Sequence, residues 1–369
     1  EVSKSILRSD IFSLLVKDFF IVFFVTKEKI EYFKDELRDY KNVSVELIPP
    51  ASHPFLEEIF SFIFLYSLHT ESIRVKIQYA YRAHSSYVLS VVKYILWFFG
   101  QWHPVRTIWR YVYALLRDKS FDVFFETYKP AGVFAANLIS NEDTRLIKAA
   151  RRYGVVSVGM PKGWDNLTLK TFLSIFPDYL LVQTTLMRHD AVSLLDYPSG
   201  KIFITGFPKF DVYADRSLLK DRASFLQQLG LDPAKKTILY AGAGDQLAPH
   251  DEDILRDLVA YISKKHTDWQ ILVRPHPKYK YRSDVIPPSS WWVLDTPGVV
   301  VGGKEGNFEF RDSDVVHLMN SLAHADILVH TASTLGIEAA IFDKPSITIG
   351  YDGDKAPHPY VSVSRYYKY

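Results

Sequence analysis

Residues 326–350 read DILVHTASTLGIEAAIFDKPSITIG, and their polar groups gather where an anionic ligand would sit. Asp326–His330 is a short apolar run of strand type. Thr331-Ala332-Ser333-Thr334 then brings hydroxyls and backbone N–H groups to the start of a helix, an end that carries partial positive charge and favours phosphate. Leu335–Phe342 continues as an almost wholly apolar helix whose exception is Glu338, four residues after Thr334 and therefore on the same face. A carboxylate there is costly to bury unless something satisfies it. The paired hydroxyls of a ribose would do so, and so would an Arg or Lys from elsewhere in the fold.

Three further clusters carry chemistry. Arg274-Pro275-His276-Pro277 follows the predicted strand Trp269–Val273, which puts His276 at a strand's carboxyl end. An imidazole there can stabilise a leaving phosphate, and Arg274 can add bidentate contacts; taken alone, a rigid Pro-flanked turn with a structural His is the plainer reading. Gly242 and Gly244, in Tyr240-Ala241-Gly242-Ala243-Gly244-Asp245, allow close backbone approach to a ligand, as they would to any tight turn. Gly163-Trp164-Asp165-Asn166-Leu167-Thr168-Leu169-Lys170 offers Asp165 as a general base for an acceptor hydroxyl, with Trp164, Asn166 and Lys170 beside it. Asp-Asn pairs also make Asx turns and helix caps, so a structural role stays open. Lys209, in the hinge-like Gly206–Asp211, is a ligand contact or a solvated linker lysine.

The elements needed to position these residues are legible as alternating patterns. Phe19–Thr26 is an apolar run of buried-strand type, followed by helical spacing over Lys27–Tyr40 and a second strand at Val43–Ile48. Short strands are predicted at Val123–Glu126, Gly132–Ala136, Val155–Gly159, Tyr179–Gln183 and Lys201–Thr205, with a helix over Glu142–Tyr153 ended by Gly154. After Gly206–Asp211 the alternation restarts: helix Leu218–Leu229, strand Thr237–Ala241, helix Glu252–Lys264, strand Trp269–Val273, helix Val315–Ala323 and the 326–350 segment. Two such runs predict an α/β protein of two doubly wound domains, 1–211 and 212–369, facing across a cleft. Ligands would lie beyond the carboxyl ends of the strands.

Between these runs, about 55–120 reads as an aromatic-rich helical insertion in the first domain. Residues 71–120 hold Lys or Arg at 74, 76, 82, 93, 106, 110, 117 and 119 against only Glu71 and Asp118. A basic, aromatic face of that kind would suit anionic lipid headgroups or an anionic, lipid-linked glycan; core aromatics with a solvated charged face is the plainer reading.

A net charge of +2 argues against binding nucleic acid by bulk electrostatics. With no cysteine, disulfides and thiolate metal sites are excluded, and the chain suits a reducing cytosol. Ile11–Val25 is apolar but broken by Lys17 and Asp18 and too short to span a bilayer, so a soluble protein is expected, cytoplasmic or peripheral at the inner face of the plasma membrane. No carboxylate cluster is spaced as a Mg²⁺ site, so no metal or cofactor is expected. The chain begins at Glu1, which suggests missing N-terminal residues, and only Tyr351–Tyr369 follows the last predicted strand, which suggests a second domain without its closing helices.

Taken in order, these segments resemble the CDP-glycerol glycerophosphotransferase family, polyol-phosphate transferases of wall teichoic acid synthesis with a two-domain GT-B fold. The family's Trp-His-Gly-Thr-Pro-Leu-Lys loop corresponds to Trp164-Asp165-Asn166-Leu167-Thr168-Leu169-Lys170, and its Gly-Tyr-Pro-Arg-Asn-Asp segment to Gly206-Phe207-Pro208-Lys209-Phe210-Asp211. The strand opening its second domain matches Ile238–Ala241, its His-Pro matches His276-Pro277, and its Asp-Tyr-Ser-Ser turn and helix match Thr331–Phe342. The similarity runs from about Tyr153 to Asp352. Two departures matter: Asp165 stands where the family has its loop histidine, and Glu338 sits in a Gly-Ile-Glu-Ala-Ala context closer to nucleotide-sugar glycosyltransferases and UDP-sugar 2-epimerases. The resemblance therefore implies a transferase acting on a nucleotide-activated donor and a cell-surface polysaccharide or lipid-linked glycan acceptor, with a sugar as the expected cargo and a polyol phosphate as the alternative. A non-catalytic nucleotide-sugar-binding subunit is the reading from another class.

Overall fold

The computed structural model describes residues 5–83, 87–242, 251–276, 289–296, 298–301, 308–331 and 333–350, with the side chains of 79–83 set aside. Gly244, Pro277, Ala332 and the segment 351–369, named in the preceding section, lie outside them. The chain divides into two compact units, Glu1–Lys209 and Phe210–Tyr369.

In the first unit, helix α1 (Asp10–Asp18) leads into strand β1 (Ile21–Val25), helix α2 (Ile30–Glu36) and strand β2 (Val43–Leu47), the two strands pairing in parallel. Four helices of 13 residues follow: α3 (Pro54–Tyr66), α4 (Glu71–Ala83), α5 (Tyr87–Phe99) and α6 (His103–Leu115). They form the aromatic-rich insertion. The predicted strand at Val123–Glu126 is instead helix α7 (Asp122–Tyr128). Phe121 and Phe125, four residues apart, both bury on one side, and that helical spacing overrides the β-propensity of the Phe-Phe pair.

Strand β3 (Gly132–Ala135), helix α8 (Asn141–Tyr153), strand β4 (Val156–Gly159), the short helix α9 (Asn166–Leu169), strand β5 (Tyr179–Val182), helix α10 (Thr185–Ser193) and strand β6 (Ile202–Ile204) complete the unit. The sheet is parallel, in chain order β3-β4-β5-β6. Helix α8 starts where the Ser140 hydroxyl accepts the Asp143 N–H, and ends at Gly154, whose φ of 66° a side chain would resist. Phe64, Tyr113, Leu180 and Val182 share one core, so the insertion packs onto the sheet and does not stand apart from it.

The basic residues of 71–120 do not form one exposed face. Arg106 grips Asp196 through Nε (2.8 Å) and Nη2 (2.6 Å), Arg110 reaches the same carboxylate at 3.1 Å, and Lys93 is buried against the Tyr66 ring. Arg74 pairs with Glu71. The insertion exposes the large apolar side chains Tyr87, Val88, Phe98, Ile108, Tyr111 and Leu115, along with the basic Arg117 and Lys119 near its end.

In the second unit the helix α11 (Arg222–Gln228) precedes strand β7 (Lys236–Ala241), helix α12 (Asp251–Lys265), strand β8 (Trp269–Arg274) and strand β9 (Trp292–Leu294). A small antiparallel pair, β10 (Val299–Val300) and β11 (Phe308–Glu309), leads to helix α13 (Asp312–His324), strand β12 (Ile327–His330), helix α14 (Leu335–Ile341) and strand β13 (Ser346–Thr348). The parallel sheet runs β13-β12-β7-β8-β9. Side chains of a strand alternate between faces, and the two cores show it. Leu239, Ala241, Leu272 and Leu328 pack with Phe225, Leu226, Leu318 and Leu322 of α11 and α13 on one face. Ile238, Tyr240, Ile271, Val273 and Val329 pack with Ile254, Leu255 and Ile262 of α12 on the other. Near-continuous apolar strands are the consequence of covering both faces.

Both units are thus α/β with parallel sheets, as predicted, and the second carries helices on both faces of its sheet. The helix predicted over Leu218–Leu229 is shorter, because Asp221 caps it by accepting the Ser224 N–H.

Candidate functional site

The chain leaves β7 in one direction, through β8 to β9, then returns to the other side of β7 as β12 and β13. The carboxyl ends of β7 and β12 therefore bound the topological switch point, where neighbouring connections diverge and open a crevice. Three polar side chains meet there. Asp251, the first residue of α12, accepts at Oδ1 from the Thr331 hydroxyl (3.1 Å) and the Tyr240 hydroxyl (2.8 Å). All three are buried, Thr331 completely. The sequence suggests that Gly242 admits a ligand to the backbone. A Cβ on it would instead fall on the Asp251 carboxylate, so the close approach is made by this chain's own side chain.

His330, the last residue of β12, organises the turn that follows. Its Nδ1 accepts the backbone N–H of Ser333 (3.2 Å), which requires the proton to be on Nε2, and Nε2–H donates to the Thr348 hydroxyl (3.2 Å). Burial holds the imidazole below its ordinary pKa, so the neutral form is the resident one. A Cβ on Gly336 would approach Nε2 to 2.9 Å, which explains a glycine inside the following helix. Ser333 Oγ accepts the Leu335 N–H at 3.2 Å, and Thr334 opens α14 without a side-chain cap. Glu338 is buried, and the Tyr213 hydroxyl donates to its Oε2. The carboxylate expected to call for a ribose or a basic partner is met by a phenol from within the same unit.

Arg274 also departs from expectation. Its guanidinium is 4% exposed and pairs with Asp295, just beyond β9, whose other oxygen takes a 3.0 Å bond from His317 Nε2. Burial alone would raise the Asp295 carboxyl, but the His317 bond and the Arg274 charge outweigh it and hold the pKa below the usual range. Arg274 is thus committed to a carboxylate inside the unit and not held out for a phosphate. His276, two residues on, is half-buried at the carboxyl end of β8.

In the first unit the loop after β4 carries Asp165. Asn166 is buried and bridges the loop, accepting the Gly163 N–H and donating to Asp165 Oδ1, both at 3.0 Å. The Asp165 carbonyl accepts the Thr168 and Leu169 N–H groups at 3.2 and 3.0 Å. The Asp-Asn turn is therefore real, and it holds a half-buried carboxylate beside the exposed Trp164 and Lys170. Helix α4 ties onto this turn: the Thr70 hydroxyl, just before its start, donates to the Thr168 carbonyl (2.7 Å), and Lys76 Nζ to that of Leu169 (3.4 Å). Lys209 is buried and is neither a solvated linker residue nor an exposed contact.

Sequence reasoning missed Asp251, His330 and Asp295, and named Lys76 only as one member of a basic face. Asp251 carried a weak signal, as the head of the acidic helix start Asp251-Glu252-Asp253. Asp295 and Lys76 show nothing locally, because the partners named here lie 21 and 93 residues away, and the Thr348 partner of His330 lies 18 residues on. Among the described residues no group of three or more His, Asp or Glu is arranged to hold a metal ion.

A family-level comparison matches residues 172–358, just over half of the chain, to CDP-Glycerol:Poly(glycerophosphate) glycerophosphotransferase. The chain belongs to this family. As a glycerophosphotransferase-family member it carries the switch-point cluster, His276 and Glu338 within the matched stretch, whereas Asp165 and Lys170 precede it. Direct comparison with curated proteins finds no match.

Among solved structures, S. aureus MnaA in complex with UDP is similar at 13% identity, over 89% of this chain and 78% of that one, with a TM-score of 0.44. UDP-GlcNAc 2-epimerase from Neisseria meningitidis bound to UDP-GlcNAc is similar at 12%, over 92% and 84%, with a TM-score of 0.46. The wall teichoic acid polymerase TagF is similar at 21% over 48% of this chain, with a TM-score of 0.33; the family member spans 40% of that polymerase.

Proposed function

We propose that this family member is a transferase that moves a polyol-phosphate group from a CDP-linked donor onto a cell-surface polymer. The observation that carries the reading is the family match over residues 172–358, which contains the polar cluster at the carboxyl ends of β7 and β12. In this reading the second unit holds the nucleotide, with its diphosphate near Ser333 and Thr334, while Tyr213–Glu338 and Arg274–Asp295 brace the surrounding walls. An acceptor hydroxyl attacks the distal phosphorus, a new O–P bond forms, and the bond to CMP breaks. Asp165 takes the hydroxyl proton, and His276 stabilises the departing phosphate. The chain would work in the cytoplasm, at the inner face of the membrane where a lipid-linked acceptor can be reached; among the described residues no helix is long and apolar enough to cross it.

A second reading, sugar transfer from a nucleotide sugar, is favoured by one residue. Asp165 puts a carboxylate where the family has a histidine. Its companion argument, a ribose on Glu338, is weakened by the bond from Tyr213.

The test begins with thermal shift against CDP, CMP, UDP, GDP, dTDP and ADP. A ligand at 100 times its Kd that binds only the folded state adds about 2.7 kcal/mol. Product analysis then separates the readings, since a CDP-alcohol releases CMP whereas a nucleotide sugar releases a nucleoside diphosphate. Preference for cytidine nucleotides with CMP release supports polyol-phosphate transfer. Uridine preference with UDP release supports the sugar, binding without turnover of any donor points to a non-catalytic subunit, and no shift with any nucleotide defeats the reading.

A further inference from the structure

Helices α5 and α6 have their polarity reversed. The Lys and Arg residues between Tyr87 and Leu116 are Lys93, Arg106 and Arg110, and all of them turn inward. Lys93 lies over the Tyr66 ring, Arg106 donates to Asp196 and the Gly100 carbonyl, and Arg110 donates to the Leu173 and Leu195 carbonyls. No Asp or Glu occurs from 72 to 117. The outward side is apolar instead. On α5, Val88, Val91, Val92, Ile95 and Phe98 recur at helical spacing, each between 39% and 70% exposed. On α6, Ile108, Tyr111, Val112 and Leu115 repeat the pattern, all exposed. Trp102, exposed between the two helices, meets Phe98 and Phe99 with ring centroids 5.5 and 5.3 Å away.

Single exposed apolar residues are ordinary, but a stripe along a whole helix with its charges on the other side marks a surface that meets something other than water. The exposed charges that follow α6 are Arg117 and Lys119, while Asp118 between them is buried and accepts the Ser52 and Ser120 N–H groups. Protein interfaces are held in register by complementary charges in a polar rim. Cations beside an acid-free apolar stripe complement an anionic lipid surface instead. The 13 residues of α5 extend about 20 Å at about 1.5 Å each, short of a hydrocarbon core of about 30 Å, so the helix fits the plane of an interface and not a span.

We propose that α5, the Phe98–Phe99–Trp102 cluster and α6 form a docking surface for an anionic lipid bilayer. That surface is tied to the loop of Asp165. His69 Nδ1–H donates to the Trp97 carbonyl at 2.9 Å and the two rings stack, Trp97 Nε1 donates to the Thr70 carbonyl at 2.9 Å, and the Thr70 hydroxyl pins the Thr168 carbonyl at 2.7 Å. A Cβ on Gly100 would collide with the Ser67 carbonyl, so the end of α5 sits directly against the same turn. Docking through α5 therefore holds the Asp165 loop at a set height over the lipid, where a lipid-linked acceptor is presented. That purpose rests on the proposed function; the docking and its test do not.

The experiment is co-sedimentation of the whole chain with vesicles of phosphatidylcholine, either pure or mixed equally with phosphatidylglycerol. The mixed vesicles should carry the parent down, and the pure ones much less. Ile95→Glu and Phe98→Glu should each weaken that binding about tenfold or more while melting as the parent does, because both side chains are exposed. Replacing Arg117 and Lys119 together by Gln should weaken binding to the mixed vesicles about fivefold or more. Should a Glu variant fail to fold, quenching of the parent's fluorescence by brominated lipid, smaller in Trp102→Phe, gives the same reading. No sedimentation with either vesicle, equal binding to both, or unchanged binding in Ile95→Glu and Phe98→Glu overturns the proposal. A parent that is dimeric without lipid and monomeric as Ile95→Glu also overturns it, by giving the surface to a second copy of the chain. Nucleotide binding in the same variants separates the two ideas. If nucleotide binds and vesicles do not, only the docking surface is wrong. If vesicles bind through α5 and no nucleotide binds at all, the docking surface stands and the transferase reading falls.

Discussion

The Thr331 hydroxyl donates to the Asp251 carboxylate at 3.1 Å, joining the end of β12 to the start of α12 across 80 residues of sequence. Tyr240, at the end of β7, donates to the same oxygen, so one buried carboxylate gathers the two strands that flank the switch point. Gly242 leaves room for it.

That relationship predicts a specific non-additivity. Gly242→Ala should cost about 1–3 kcal/mol, because the new methyl displaces the Asp251 carboxylate and leaves the Thr331 and Tyr240 hydroxyls without their acceptor. In an Asp251→Ala background the same change should cost almost nothing further. Urea denaturation of the two single variants and the double variant measures this, and simple additivity would count against a steric role for Asp251.

Removing the carboxylate of Asp295 should be among the more damaging single changes in the second unit. Asp295→Asn leaves the Arg274 guanidinium buried without a counter-charge, at a cost of about 3–5 kcal/mol. The acid limb should change too. The folded pKa of Asp295 lies below its ordinary 3.8, so its contribution is complete above that value and is lost as pH falls through the folded value. The parent should lose stability more steeply than Asp295→Asn below about pH 4, as equilibrium unfolding across pH would show.

His330 makes a prediction at milder pH. Its folded pKa is depressed by burial, so the unfolded chain binds more protons and stability rises with pH until the unfolded imidazole, near 6.5, is neutral. Below that, stability should fall as protonation is forced on Nδ1, which must then give up the Ser333 N–H. His330→Asn should show a flatter profile between about pH 5 and 7, and NMR titration of the ring should find no protonation at pH 7.

Asp165→Asn tests the base. With a turned-over donor in hand, the rate should fall about 10²- to 10⁴-fold while nucleotide affinity is unchanged. The substitution keeps the turn, since Asn166 can still bridge Gly163. Near-parental activity would move the base to another residue.

Much of the architecture was legible because its signals are local. A parallel strand covered on both faces must be apolar throughout, which is why the cores of β7, β8 and β12 can be read directly, and capping residues such as Ser140 and Gly154 mark helix ends. The same locality explains the error at Val123–Glu126, where only the burial of Phe121 and Phe125 together decides for helix. The ordered motifs also carried the family. What the sequence could not determine was how each charge would be spent. Glu338 found Tyr213, Arg274 found Asp295, Gly242 made way for Asp251, and Lys76 reached the loop of Asp165 from 93 residues away. A buried charge must be satisfied by whatever the fold brings within about 3 Å. Sequence spacing records which residues need partners, and only the packed structure decides which ones they get.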